Sequence, residues 1–120
     1  MPAGKICYLE IPSADAEASA QFYAKIFGWK IRTRGDGARA FDDSTGAVSG
    51  AWVTGRPPSR EPGILTYVWV DDIETTLAEV QKAGGQVVTP KTPNGPDAAH
   101  ATFRDPAGNV VGIYQEWQLP

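Results

Sequence analysis

Apolar and polar positions alternate along residues 5–11, KICYLEI. Cys7, Leu9 and Ile11 fall on one side and Ile6, Tyr8 and Glu10 on the other, a period of two that predicts a strand ended by Pro12. From Asp15 to Phe27 the period lengthens. Ala16, Ala20, Tyr23 and Phe27 recur at helical spacing with Ile26 beside them, Ser13 and Asp15 are N-cap types, and Gly28 is a helix stop. Short strands follow at 29–33, 38–43 and 48–53, separated by turns at RGDG (34–37) and STGA (44–47). TGRPPSREPG (54–63) is loop by composition. The order then recurs. ILTYVWV (64–70) reads as a strand, and Asp71-Asp72 opens a helix with Ile73, Leu77 and Val80 on its apolar stripe and Gly84-Gly85 as its stop. Strands are predicted at 86–90, 100–105 and 110–117, with KTPNGPD (91–97) as a loop that buries little and PAGN (106–109) as a turn.

Residue identities repeat along with the elements. Shifted by 57, Asp15, Glu17, Lys25 and Gly28 fall on Asp72, Glu74, Lys82 and Gly85. Shifted by 62, Phe41, Asp43, Gly46, Val48 and Gly50 fall on Phe103, Asp105, Gly108, Val110 and Gly112. Ordered matches of this kind indicate an internal repeat. The expected organisation is one α+β domain of two βαβββ repeats, about 5–53 and 64–117, joined by a linker at 54–63.

Composition narrows the function. The chain has 120 residues and a net charge of −3, which argues against a nucleic-acid partner and against a polybasic route to membranes. Its single cysteine and single histidine exclude an intrachain disulfide and a Cys/His zinc site built within one chain. No apolar run approaches the ~20 residues of a membrane span. The first residues, MPAGKICYLEIP, lack a signal-peptide plan, so the expected compartment is the cytoplasm.

Three segments carry a family resemblance: ASAQFYAKIFGWKI (18–31), VDDIETTLAEVQKAGGQVV (70–88) and FRDPAGNVVGIYQ (103–115). Together with the repeat, they resemble the vicinal oxygen chelate superfamily, the glyoxalase/bleomycin-resistance/dioxygenase fold. The resemblance implies curved mixed sheets around a cleft that takes a small molecule, with helices on the convex faces. Many members hold a divalent metal there, on a His or Gln of each unit's first strand and a Glu of its last. Carried over residue by residue, those positions look like Ile6, Gly50, Leu65 and Gly112, none of which can ligate an ion. A slip of two offers Tyr8, Trp52, Tyr67 and Tyr114, and a slip of four reaches Glu10, Trp69 and Glu116. A site made from Glu10, Glu116 and His100 stays open as an alternative. The expectation is no metal and no cofactor.

If the four carried-over positions face the cleft, so do their even neighbours. The expected ligand-binding set is Tyr8, Glu10, Trp52, Tyr67, Trp69, Tyr114 and Glu116, with no arginine or lysine on those strand faces. The opposite, helix-covered face would carry Cys7, Leu9, Ile11, Ala51, Val53, Val68, Val70, Val111 and Ile113, with Cys7 buried and inert. Packing or a homodimer interface would equally account for the aromatics. A solvated edge would account for the glutamates, and a surface hydrogen bond for His100. Two functional readings follow. One is a metal-free binding protein, a homodimer holding an aromatic or cationic organic molecule. The other is a lyase-, isomerase- or dioxygenase-like enzyme acting on a small carbonyl or aromatic compound. It would use Glu10 or Glu116 as a catalytic base, or an unrecognised metal site.

Overall fold

Asp15 and Asp72 begin the two helices for the same reason. Each carboxylate accepts backbone N–H groups that the first helical turn leaves unpaired: Ala18 N at 3.1 Å for Asp15, Glu74 N at 3.0 Å for Asp72. The computed structural model describes residues 3–117 and divides the chain into two compact units, Met1–Pro58 and Ser59–Pro120.

The first unit runs β1 (Tyr8–Pro12), α1 (Ala16–Phe27), β2 (Lys30–Thr33), β3 (Arg39–Asp42) and β4 (Ser49–Val53), with sheet order β1-β4-β3-β2. β1 pairs parallel with β4, and the remaining pairs are antiparallel. Leu9, Ile31, Phe41 and Gly50 lie in one register row, with Ile11 and Trp52 beside it, and α1 covers that face. The core there is aromatic. Trp29 stacks on Phe41 with centroids 4.4 Å apart, and Trp52 lies 5.0 Å from Phe41 and 5.8 Å from Tyr23.

The second unit repeats the plan: β5 (Tyr67–Trp69), α2 (Ile73–Lys82), β6 (Gln86–Pro93), β7 (Ala98–Arg104) and β8 (Val110–Glu116), in the order β5-β8-β7-β6. Its core is mainly aliphatic. Ile73, Leu77 and Val80 of α2 are buried with Ala101, Phe103, Val111 and Ile113. Gln115, on the same face, accepts a hydrogen bond from Ile73 N at 2.9 Å and so ties β8 to the start of α2.

Four expectations need correction. Trp52 does not share a face with Tyr8 and Glu10: it is 3% exposed, under α1. The cause is one residue. In the second unit, Arg104 pairs with Val110 across a turn of residues 105–109, closed by Asp105 N donating to Asn109 O. In the first, Asp42 pairs with Ser49 across residues 43–48, closed by Asp43 N donating to Val48 O. The extra residue moves the register of β4 by one, and a one-residue slip turns every side chain to the other face. Gly50 therefore faces α1, and Ala51, not Gly50, stands where Gly112 stands. The helix-covered side loses Ala51 and Val53 accordingly.

Cys7 precedes β1 and is exposed rather than buried. The first unit's open face does carry cations, since Lys30 and Arg32 share it with Asp42 and Ala40. Finally, β6 continues through Pro90 to Pro93, so the loop expected at 91–97 shrinks to a hairpin turn. β6 is an edge strand, where a proline's missing N–H costs no ladder bond.

Candidate functional site

The open face of the second unit is set by its register. Tyr67 pairs with Gly112, Trp69 with Tyr114, Tyr114 with His100, and Ala98 with Glu116. These pairs place Tyr67, Trp69, His100, Tyr114 and Glu116 on one side of the sheet, away from α2. Gly112 lets the Tyr67 ring lie flat across β8, because a Cβ there would come within 2.5 Å of Tyr67 Cδ1. Trp69 meets Tyr114 edge-on at 5.9 Å, and Tyr67 meets His100 edge-on at 6.3 Å. Trp69 and Tyr67, at the two ends of the short edge strand β5, remain 52% and 46% exposed, high values for large aromatic side chains.

Between them lies a cleft of about 490 Å³ lined by Tyr67, Trp69, Asn94, His100 and Tyr114. Its polar groups are already oriented. The Tyr114 hydroxyl donates to Glu116 Oε2 at 2.6 Å, and this bond to a carboxylate holds the phenol's pKa above its ordinary value. His100 Nδ1 is hydrogen-bonded to Asn94 Oδ1. Asn94 is fixed in turn by its own backbone N–H, which donates to Ala98 O at 2.7 Å. Trp117 braces the hairpin, with its backbone N on Asp97 O at 2.9 Å and Nε1 on Pro96 O at 3.0 Å.

Within this unit the structure brings together four members of the expected set, Tyr67, Trp69, Tyr114 and Glu116. In the first unit Tyr8 and Glu10 share a face, and both are engaged by arginine. Arg34 donates to the Tyr8 hydroxyl at 2.6 Å, and Arg56 forms an ion pair with Glu10. Asn94 was not among the expected site residues. Its signal was the NG pair at 94–95, which marks a two-strand turn and so puts that side chain beside the strands it joins.

The four positions carried over from the metal-using members do not fit a resident divalent ion. Ile6, Gly50, Leu65 and Gly112 offer no donor, and Ile6 and Leu65 lie outside β1 and β5. Among the described residues no three His, Cys, Asp or Glu side chains gather at one point.

The sequence profile of the Glyoxalase/Bleomycin resistance protein/Dioxygenase superfamily matches residues 5–113. The chain belongs to this superfamily. A glyoxylase-like domain-containing protein of Didymella fabae is 32% identical over 118 residues, covering 92% of each chain. CFP32 of Mycobacterium tuberculosis is 30% identical over 117 residues, 90% of this chain, but this chain spans only 44% of its length. Among solved structures, TnmS3, an antibiotic binding protein from Streptomyces sp. CB03234, superposes with a TM-score of 0.69 at 26% identity, covering 97% of this chain and 98% of its own. The superfamily fold, two βαβββ units each with a four-stranded mixed sheet, is the one described above.

Proposed function

We propose that this superfamily member captures a flat aromatic or cationic organic molecule on the open face of its second unit, stoichiometrically and without a metal. The observation that carries this reading is the pair of half-exposed rings, Trp69 and Tyr67, flanking a cleft of about 490 Å³, a volume suited to a small organic ligand. Similarity to an antibiotic binding protein over nearly the whole chain supports it. The two glutamates support capture over base catalysis, since Glu10 is held by Arg56 and Glu116 by the Tyr114 hydroxyl.

The energetics are sufficient. A well-placed ring pair adds ~0.5–1.5 kcal/mol beyond burial, and a cation over a ring adds ~0.5–2 kcal/mol. Two or three such contacts plus buried area reach the ~8 kcal/mol of micromolar affinity. Glu116 adds attraction for a cation.

The test is a tryptophan-fluorescence titration of chelator-treated protein with proflavine, a planar cation, and with 9-anthroate, a planar anion. Saturable one-to-one quenching by proflavine, weakened at least tenfold in Trp69→Ala, is expected. Binding of 9-anthroate alone, or binding that appears only when a divalent metal is restored, would overturn the reading.

A further inference from the structure

An amide oxygen can only accept a hydrogen bond, so the bond between Asn94 Oδ1 and His100 Nδ1 requires the proton to sit on Nδ1. In the neutral imidazole the other nitrogen, Nε2, is then an acceptor. The backbone that carries these two side chains is held locally. Thr92 pairs with His100 across β6 and β7, the Asn94 N–H closes the hairpin on Ala98 O, and Trp117 holds the turn from Pro96 and Asp97. The ring stands on the cleft wall beside Tyr67, and Tyr114 is its cross-strand neighbour on β8.

The cleft's other hydroxyl-bearing contact adds to the asymmetry. The Tyr114 proton is already donated to Glu116, so that pair presents carboxylate lone pairs rather than a donor. A planar molecule lying against Trp69 and Tyr114 therefore meets an acceptor, His100 Nε2, on the cleft wall, while the Tyr114 hydroxyl has its proton directed to Glu116.

We infer that the site selects planar aromatic ligands that carry a hydrogen-bond donor on their rim, a phenolic O–H or a ring N–H, which His100 Nε2 accepts. This rests on the capture reading above and specifies the ligand class. Asn94 acts as a positioning residue, fixing the tautomer.

The chain contains one histidine, which makes the test clean. Tag-free protein is titrated with 9-phenanthrol and with its methyl ether, 9-methoxyphenanthrene. They have the same ring system, and only the phenol can donate. The phenol is expected to bind about three- to tenfold more tightly, the worth of one neutral hydrogen bond. In His100→Phe that ratio falls to about one, and an unchanged urea-denaturation midpoint reports that the variant is folded. A long-range ¹H–¹⁵N correlation of the single imidazole gives a second readout that needs no variant. It should show Nδ1 protonated and Nε2 bare in the free protein, and the phenol should move the Nε2 resonance well beyond the ring-current change that the ether causes. A ratio near one in the wild-type protein, a ratio that survives His100→Phe, or an Nε2–H tautomer would overturn the inference and leave aromatic capture standing. If neither compound binds, both readings fall.

Discussion

The Tyr67 ring covers Gly112, its register partner on β8, so closely that any side chain at 112 would have to displace it. Gly50 in the first unit is equally crowded, but by different atoms. A Cβ there would lie 2.2 Å from the Leu9 carbonyl oxygen and 2.4 Å from Phe41 Cζ, on the face packed against α1. Backbone and a buried ring cannot yield, whereas the half-exposed Tyr67 can rotate into solvent.

The two glycine-to-alanine variants should therefore fail in different ways. Gly50→Ala is expected to destabilise by at least the ~1–3 kcal/mol typical of overpacking. Gly112→Ala should cost less stability but weaken proflavine binding by removing Tyr67 from its place. Urea-denaturation midpoints and a proflavine titration on each variant check this.

Trp52 is a core residue, packed between Tyr23 and Phe41 and almost without exposure. Trp52→Ala should lose ~3–5 kcal/mol of stability, as large-to-small changes at buried aromatics do. Trp69→Ala, at an exposed position, should lose little. Chemical denaturation of the two variants separates them, and equal losses would contradict the face assignment.

Position 52 also shows how far the sequence could be read. Element order, both helix caps and the duplication were visible because capping chemistry, glycine stops and two periodicities act locally. The second unit's open face was also legible: Tyr67, Trp69, Tyr114 and Glu116 alternate with an aliphatic set that only a helix could cover. The first unit's was not. Matching Asp43, Gly46, Val48 and Gly50 to Asp105, Gly108, Val110 and Gly112 hid the extra residue of the 43–48 turn, and with it the flip of β4. Turn length is a hydrogen-bonding outcome that residue matching cannot count. Asn94 and its bond to His100 escaped for a related reason, since two prolines disguised the end of β6 as loop. The arginines beside Tyr8 and Glu10 come from a turn and from the linker, where strand alternation says nothing about side-chain reach.

The Tyr114–Glu116 bond has a pH signature. Donation to a carboxylate favours the protonated phenol, so the folded-state pKa is raised above 10.0. Any stabilisation from this bond is fully present below the unfolded tyrosine value, ~10, and is lost as pH rises through the higher folded value. In an alkaline absorbance titration one tyrosine should ionise later than an ordinary phenol, and Glu116→Gln should bring it back toward normal. Identical titration curves for the two proteins would contradict the hydrogen bond.

The most direct test of aromatic capture is a ¹H–¹⁵N map of the backbone amides during titration with proflavine. Shifts should concentrate at 67–69, 94, 98–102 and 112–116, the strands and turn that carry the cleft of the second unit, and should saturate at one equivalent. Shifts confined to the arginine-engaged residues of the first unit, around Tyr8, Arg34 and Arg56, would contradict the account, as would a spectrum that proflavine leaves unchanged.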